Sequence, residues 1–151
     1  MDWAFDITIK NRTLLKNFIE NHTLEELNKV PEGFSNNIIW NIAHTVVTQQ
    51  LLVYKLSGLP LIISDDLVNA YKKGTKTEGD VTQAQVDMVK GLLFSTIEKT
   101  KEDYKNKRFQ TYNQYTVTTK STLSNVEEAL EFNNFHEGIH LGYILALRKS
   151  L

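Results

Sequence analysis

The motif with the clearest chemical meaning is the string His136-Glu-Gly-Ile-His140 near the end of the chain. Histidines four residues apart on a helix point the same way one turn apart, so both rings can bind one ion at ~2.0–2.1 Å. The string also fits the H-E-x-x-H pattern of metallopeptidases. Those enzymes take a third ligand from further along the chain, and here no His, Asp or Glu follows His140. The motif therefore predicts two ligands of a divalent metal site and argues against a peptidase.

A third ligand is predicted on an earlier helix. His44 lies one turn after Trp40 and one turn before Val47 on an apolar stripe, so its ring faces the core. Three partly polar rings in one core each need a partner, and a single ion satisfies all three acceptors at once. His44, His136 and His140 are therefore predicted to bind one divalent metal ion. Imidazole suits zinc, nickel and iron alike, so the metal stays open.

Two further residues near these motifs carry chemistry. Glu137 shares a spacing of seven with Leu130 and Ile144 and so flanks the core stripe of its helix. It is either a general base that deprotonates a metal-bound water, or a partner for a Lys or Arg at a helix surface or dimer contact. His22 lies near the predicted end of the first helix, where its ring can interact with the last carbonyls. We assign His22 a structural role.

The elements that must position these residues are predicted to be helices. Apolar residues at Trp3, Ile7, Leu14 and Phe18 are typical of one helical face. The last helix is predicted to open with a capping box, Ser124-Asn-Val-Glu127. The segment 109–123 is rich in Tyr and Thr and is either an extended strand across the bundle or a small hairpin. The predicted long helices cover residues 3–21, 36–57, 82–104 and 124–147, with short helices near 23–26 and 65–73.

Composition limits the possible functions. The chain has 151 residues, a usual size for one domain spanning 1–151, and its 7 Gly and 2 Pro leave room for long helices. The absence of Cys excludes thiolate ligands and disulfides. A formal net charge of −1 argues against nucleic acid and anionic membranes, despite the short basic cluster Lys105, Lys107 and Arg108. With no signal or membrane-spanning segment in the pattern, we expect a cytoplasmic protein.

Two motifs carry a resemblance to a known family. Trp40-Asn-Ile-Ala-His44 and the segment from Glu128 to Ile144, which contains both histidines of the last helix, resemble the DinB-like family of metal-binding four-helix bundles. In that family one His of the second helix and a His-x-x-x-His pair of the fourth bind a divalent ion, commonly nickel, zinc or iron. The resemblance implies an all-α, up-down-down-up four-helix bundle that is often a dimer. The long connection from Gly58 to Asp80 is compatible with its crossover.

The predicted site resembles catalytic rather than structural metal sites. Three neutral imidazoles leave coordination positions of the ion open and do not neutralise its positive charge. Together with the resemblance, this predicts a metal-dependent enzyme, thiol transferase-like or hydrolase-like, that presents a metal-bound thiol or water to a small-molecule substrate. The alternative is a non-catalytic, metal-stabilised binding protein of the stress response. A second apolar face on the last helix, containing Phe135 and Ile139, needs a partner surface, which is either a neighbouring helix or the second subunit of the expected homodimer. Tyr112 and Tyr115 are predicted to line the mouth of the site.

Overall fold

The computed structural model describes residues 1–151 and is mostly helical, as predicted. The four long helices are α1 (Asp2–Glu20), α3 (Ile38–Gln50), α5 (Gln83–Lys105) and α6 (Val126–Leu147). Two short helices, α2 (Leu24–Asn28) and α4 (Asp65–Tyr71), lie in the connections. A π-helical turn (Leu51–Lys55) continues α3, and a 3₁₀ turn (Arg148–Ser150) follows α6. Two alternatives were predicted for segment 109–123, an extended strand or a small hairpin. The structure shows a small hairpin in which β1 (Tyr115–Thr116) is antiparallel to β2 (Thr122–Leu123).

The long helices pack around a shared core. Helix α1 packs mainly against α5 and α6, and α3 packs against the same two helices, so α1 and α3 occupy opposite corners. Leu15, Ile42, Leu93 and Ile144, one from each long helix, are fully buried in the same apolar cluster. The up-down-down-up order of helix directions stays a prediction. No helix of the chain combines the length and apolar character needed to cross a membrane.

Side-chain caps fix where the helices begin. Thr23 and Thr82 each open a helix with a complete capping box. The predicted box at Ser124 is wrong by one residue. Asn125 is the N-cap of α6 and accepts a hydrogen bond from the Glu128 backbone N–H at 2.8 Å, while the Glu128 carboxylate accepts one from the Ser124 N–H at 2.6 Å. Asn is among the strongest N-cap residues, so the helix begins at Val126.

The buried face of α1 differs from the predicted one. Trp3 and Leu14 are 75% and 51% exposed, so two of the four apolar residues of the predicted helical face lie outside the core. The face that is buried includes Phe5, Thr8 and Arg12. This face also contains Ala4, Leu15 and Ile19, and the polar residues Thr8 and Arg12 interrupt its apolar pattern.

Helix α6 also exposes apolar side chains. Phe135 is 52% exposed and Ile139 is 49% exposed, in agreement with a second apolar face on this helix. That a second copy of the chain covers this face stays a prediction.

Candidate metal centre

The structure brings the three predicted ligands together. His44 comes from α3, and His136 and His140 come from α6, which packs directly against α3. One ring nitrogen from each histidine lies within 4.8 Å of the others. The ring centroids are 4.6 to 5.1 Å apart. Helical spacing places the two rings of α6 one turn apart, and the packing of α3 against α6 brings His44 to them.

The His44 ring is held by hydrogen bonding and stacking. Its Nδ1 lies 2.6 Å from the backbone carbonyl of Tyr71, at the end of α4. A carbonyl only accepts, so Nδ1 must carry the proton and Nε2 keeps its lone pair for an ion. The indole of Trp40 stacks on the ring with centroids 4.7 Å apart and an interplanar angle of 11°. The Thr48 hydroxyl lies 3.3 Å from Nε2.

The His140 ring is oriented by a residue that the sequence reasoning did not select. Its Nδ1 lies 2.8 Å from the Asn41 Oδ1. The Asn41 amide nitrogen donates to the Asn37 carbonyl at 2.8 Å, which fixes the amide so that its oxygen faces the histidine. His140 therefore also donates from Nδ1 and keeps Nε2 free. The sequence offers one indication of this role, because Asn41 lies three residues before His44 on the same helix.

His136 has the least satisfied ring of the three. Its Nδ1 is buried and has no hydrogen-bond partner. A buried polar atom left without a partner costs roughly 1–3 kcal/mol. An ion that bound this ring at Nδ1 would supply the partner that the atom lacks, so the unpaired nitrogen fits a metal site.

All three histidines are held in the neutral, ligating form. Burial is the main cause that lowers the pKa of His136 to about 3. Electrostatic interactions with His140, His44 and Arg12, which disfavour a positive charge on this ring, lower it further. Burial, together with His44, lowers the pKa of His140 to about 4. The pKa of His44 is also lowered by burial, with partial opposition from its bond to Tyr71. Metal binding at neutral pH therefore requires no proton to be removed from these rings.

The dimensions of the cluster suit one ion after small side-chain rotations. Bonds of ~2.0–2.1 Å in a tetrahedral site place neighbouring nitrogens roughly 3.3 Å apart. The ligand atoms here lie within 4.8 Å, so rotations about the histidine side-chain bonds close the difference. His44 and His136 also line a cavity of about 630 Å³, so one side of the cluster is accessible to a small molecule.

Glu137 lies in the core beside the cluster rather than in this cavity. Its side chain is fully buried, and Oε1 accepts hydrogen bonds from the Arg12 Nε at 2.8 Å and the Asn133 amide at 2.9 Å. The Arg12 Nη2 is 2.7 Å from the same oxygen. Pairing with an Arg was one of the two predicted alternatives, but its predicted location at a helix surface or dimer contact is wrong. The pair instead joins α1 to α6 inside the bundle, which favours a structural role.

The loop tyrosines and the remaining histidine have separate positions. Tyr115 lines the cavity, as predicted. Tyr112 does not, and its hydroxyl donates to the Leu52 carbonyl at 3.0 Å, so it supports the cavity wall from behind. His22 lies near the end of α1 with its Nδ1 2.8 Å from the Phe18 carbonyl, which agrees with its predicted structural role.

Fold and site together define a helical bundle with a buried three-histidine cluster. The DinB superfamily matches residues 8–144, nearly the whole chain, and the chain belongs to this family. A crystal structure of a conserved protein from Enterococcus faecalis is similar in fold, with a TM-score of 0.69 at 11% sequence identity. The similarity covers 99% of this chain and 95% of that one. Among proteins with curated descriptions, none matches the chain.

Proposed function

We propose that the protein is a metal-dependent enzyme that brings a thiol or water to a divalent ion held by His44, His136 and His140. The observation that carries the proposal is a cluster of three neutral imidazoles that borders a cavity large enough for a small molecule. Sites closed for purely structural purposes surround an ion with four protein ligands. Three ligands beside a cavity instead leave room for a substrate.

The chain's own residues would perform three tasks in such a site. His44 and His140 present their Nε2 atoms, because the Tyr71 carbonyl and the Asn41 Oδ1 accept hydrogen bonds from their Nδ1–H groups. Trp40 covers one face of His44 and excludes water from it. A bound divalent ion supplies Lewis-acid chemistry, lowering the pKa of a thiol or water beside it. Zinc, nickel and iron all suit three imidazoles, so the ligands alone do not select the metal.

A second candidate is a non-catalytic role in which the ion stabilises the bundle. It is favoured by the placement of one ligand on α3 and two on α6, because an ion would then join two helices that pack on each other. A binding protein of this kind would lose stability without metal but would turn over no substrate.

The test is turnover of a panel of thiols and electrophilic acceptors, and of hydrolysable esters and amides, by metal-reconstituted protein. We expect activity with at least one pair, and we expect His140→Ala to abolish both activity and bound metal. His22→Ala is the matched control, because it removes a histidine outside the cluster and should retain both. Turnover that survives in metal-free protein would contradict the proposal. Bound metal with no turnover across the panel would favour the structural candidate.

A further inference from the structure

The cavity beside the histidine cluster has an unbalanced charge. Of the 15 residues that line it, two are lysines, Lys55 and Lys73, and none is an Asp or Glu. The ion pairs of the chain use other lysines, so neither of these ammonium groups is neutralised by a carboxylate. Charges of one sign at a cleft with apolar walls focus the field and attract ligands of the opposite sign. The cavity is therefore suited to an anion.

The two lysines approach the cavity from different elements. Lys55 ends the π-helical turn that continues α3. Lys73 follows α4, and its ammonium donates to the Thr118 hydroxyl at 2.8 Å in the turn between β1 and β2. Thr118 also lines the cavity, so this bond places the Lys73 charge beside it. Both lysines are exposed, and their charged ends remain hydrated at the rim.

The walls between the rim and the histidines are mostly apolar. They include Leu52, Val117 and Phe132, which belong to or pack against the second apolar cluster of the core. A volume of about 630 Å³ lies in the range of small-molecule sites, which are roughly 300–1,000 Å³. A ligand filling this space would contact apolar walls along its length, with His44 and His136 also in reach.

We propose that the substrate is an organic anion with a substantial apolar body. Its anionic group pairs with Lys55 and Lys73, its apolar body packs on Leu52, Val117 and Phe132, and its reacting end lies at the histidine cluster. This assignment of a substrate class rests on the proposed function. The binding step itself depends on the lysines and the walls, so it can be measured apart from metal content.

Binding of octanesulfonate tests the proposal, with uncharged octanol and cationic octylammonium as probes of the same apolar length. Sulfonates are poor metal ligands, so their affinity reports on the lysines rather than on an ion. Isothermal titration calorimetry is carried out on metal-loaded and on chelated protein. We expect octanesulfonate to bind more tightly than octanol in both forms and octylammonium to bind most weakly. Raising the salt concentration should weaken only the sulfonate.

Lysine variants provide the matched comparison. Exposed ion pairs contribute modestly, so Lys55→Gln or Lys73→Gln should each weaken octanesulfonate about threefold, and the double variant about tenfold, with octanol unchanged. Lys101→Gln is the control, because Lys101 is exposed on α5 and lies outside the cavity. Equal affinity for octanol and octanesulfonate, or an unchanged affinity in the double variant, would overturn the proposal. So would loss of sulfonate binding on chelation, which would assign the anion to the ion.

Elemental analysis of the same samples separates this inference from the proposed function. Protein that holds an ion at the histidines but shows no preference for the sulfonate overturns the anion proposal and leaves the metal proposal standing. Protein that prefers the sulfonate but holds no ion supports an anion cavity and overturns the metal-dependent enzyme.

Discussion

Removal of the Glu137 carboxylate is expected to destabilise the fold strongly. The side chains of Glu137 and Arg12 are both 0% exposed, and in Glu137→Ala the guanidinium keeps only a long contact of 3.5 Å to the Thr45 carbonyl. Leaving one member of a buried pair without its partner costs about 3–5 kcal/mol. For a chain of this length, each kcal/mol lowers Tm by roughly 2–4 °C, so the expected loss is roughly 6 to 20 °C. The double variant Arg12→Met, Glu137→Leu should recover most of it, because no charge is then buried.

Urea denaturation followed by circular dichroism measures this cost in metal-free protein, where loss of an ion cannot contribute. The control is Asp6→Ala, which breaks the ion pair between Asp6 and Lys10. This pair is exposed, because the Lys10 side chain is 71% exposed and the Asp6 side chain is 45% exposed. Exposed pairs contribute about 1 kcal/mol or less. A loss below about 1 kcal/mol in Glu137→Ala, or a double variant as unstable as the single one, would refute the reasoning. Glu137→Gln with native stability and metal content but no turnover would instead support the general base.

Three further outcomes follow from the same geometry. In metal-free protein, the free energy of unfolding should fall as the pH drops below 6.5, the ordinary pKa of histidine. His136 and His140 have pKa values of about 3 and 4 in the folded protein, so the unfolded chain binds protons that the folded chain does not. The histidine contribution to this loss should level off below about pH 3, and urea midpoints across this range measure it. Asn41→Leu removes the acceptor for His140 Nδ1 and should weaken metal binding about 10–100-fold in calorimetric titrations, with the helical signal retained. Chelation should lower Tm, and an ion present at a thousand times its Kd accounts for about 4 kcal/mol. A Tm insensitive to chelator would contradict binding at the cluster.

The ligand cluster could be predicted from the sequence because helical spacing determines it. His136 and His140 lie one turn apart, and His44 lies on a stripe whose buried position follows from its apolar neighbours. In each case, a periodic pattern within one helix was enough to place the ring. The packing of α3 against α6 then brought the two helices' rings together.

The polar residues around the cluster could not be predicted in the same way. Arg12 and Asn41 are buried, but their polar side chains are of types usually found at the protein surface. Their positions depend on partners far along the chain, Glu137 for Arg12 and His140 for Asn41, which no local spacing reveals. The same reason explains why the predicted face of α1 contained Trp3 and Leu14, which are exposed in the structure.

The central claim is that His44, His136 and His140 bind one divalent ion with positions left open for a substrate. Elemental analysis with X-ray absorption spectroscopy, on protein purified without added metal and on His→Ala variants, tests this most directly. We expect a single divalent ion per chain with three imidazole nitrogens at ~2.0–2.1 Å and additional exchangeable oxygen ligands. We also expect the ion to be lost in each of the three variants and retained in His22→Ala. An ion that survives His140→Ala, or a wild-type chain that binds none, would contradict it.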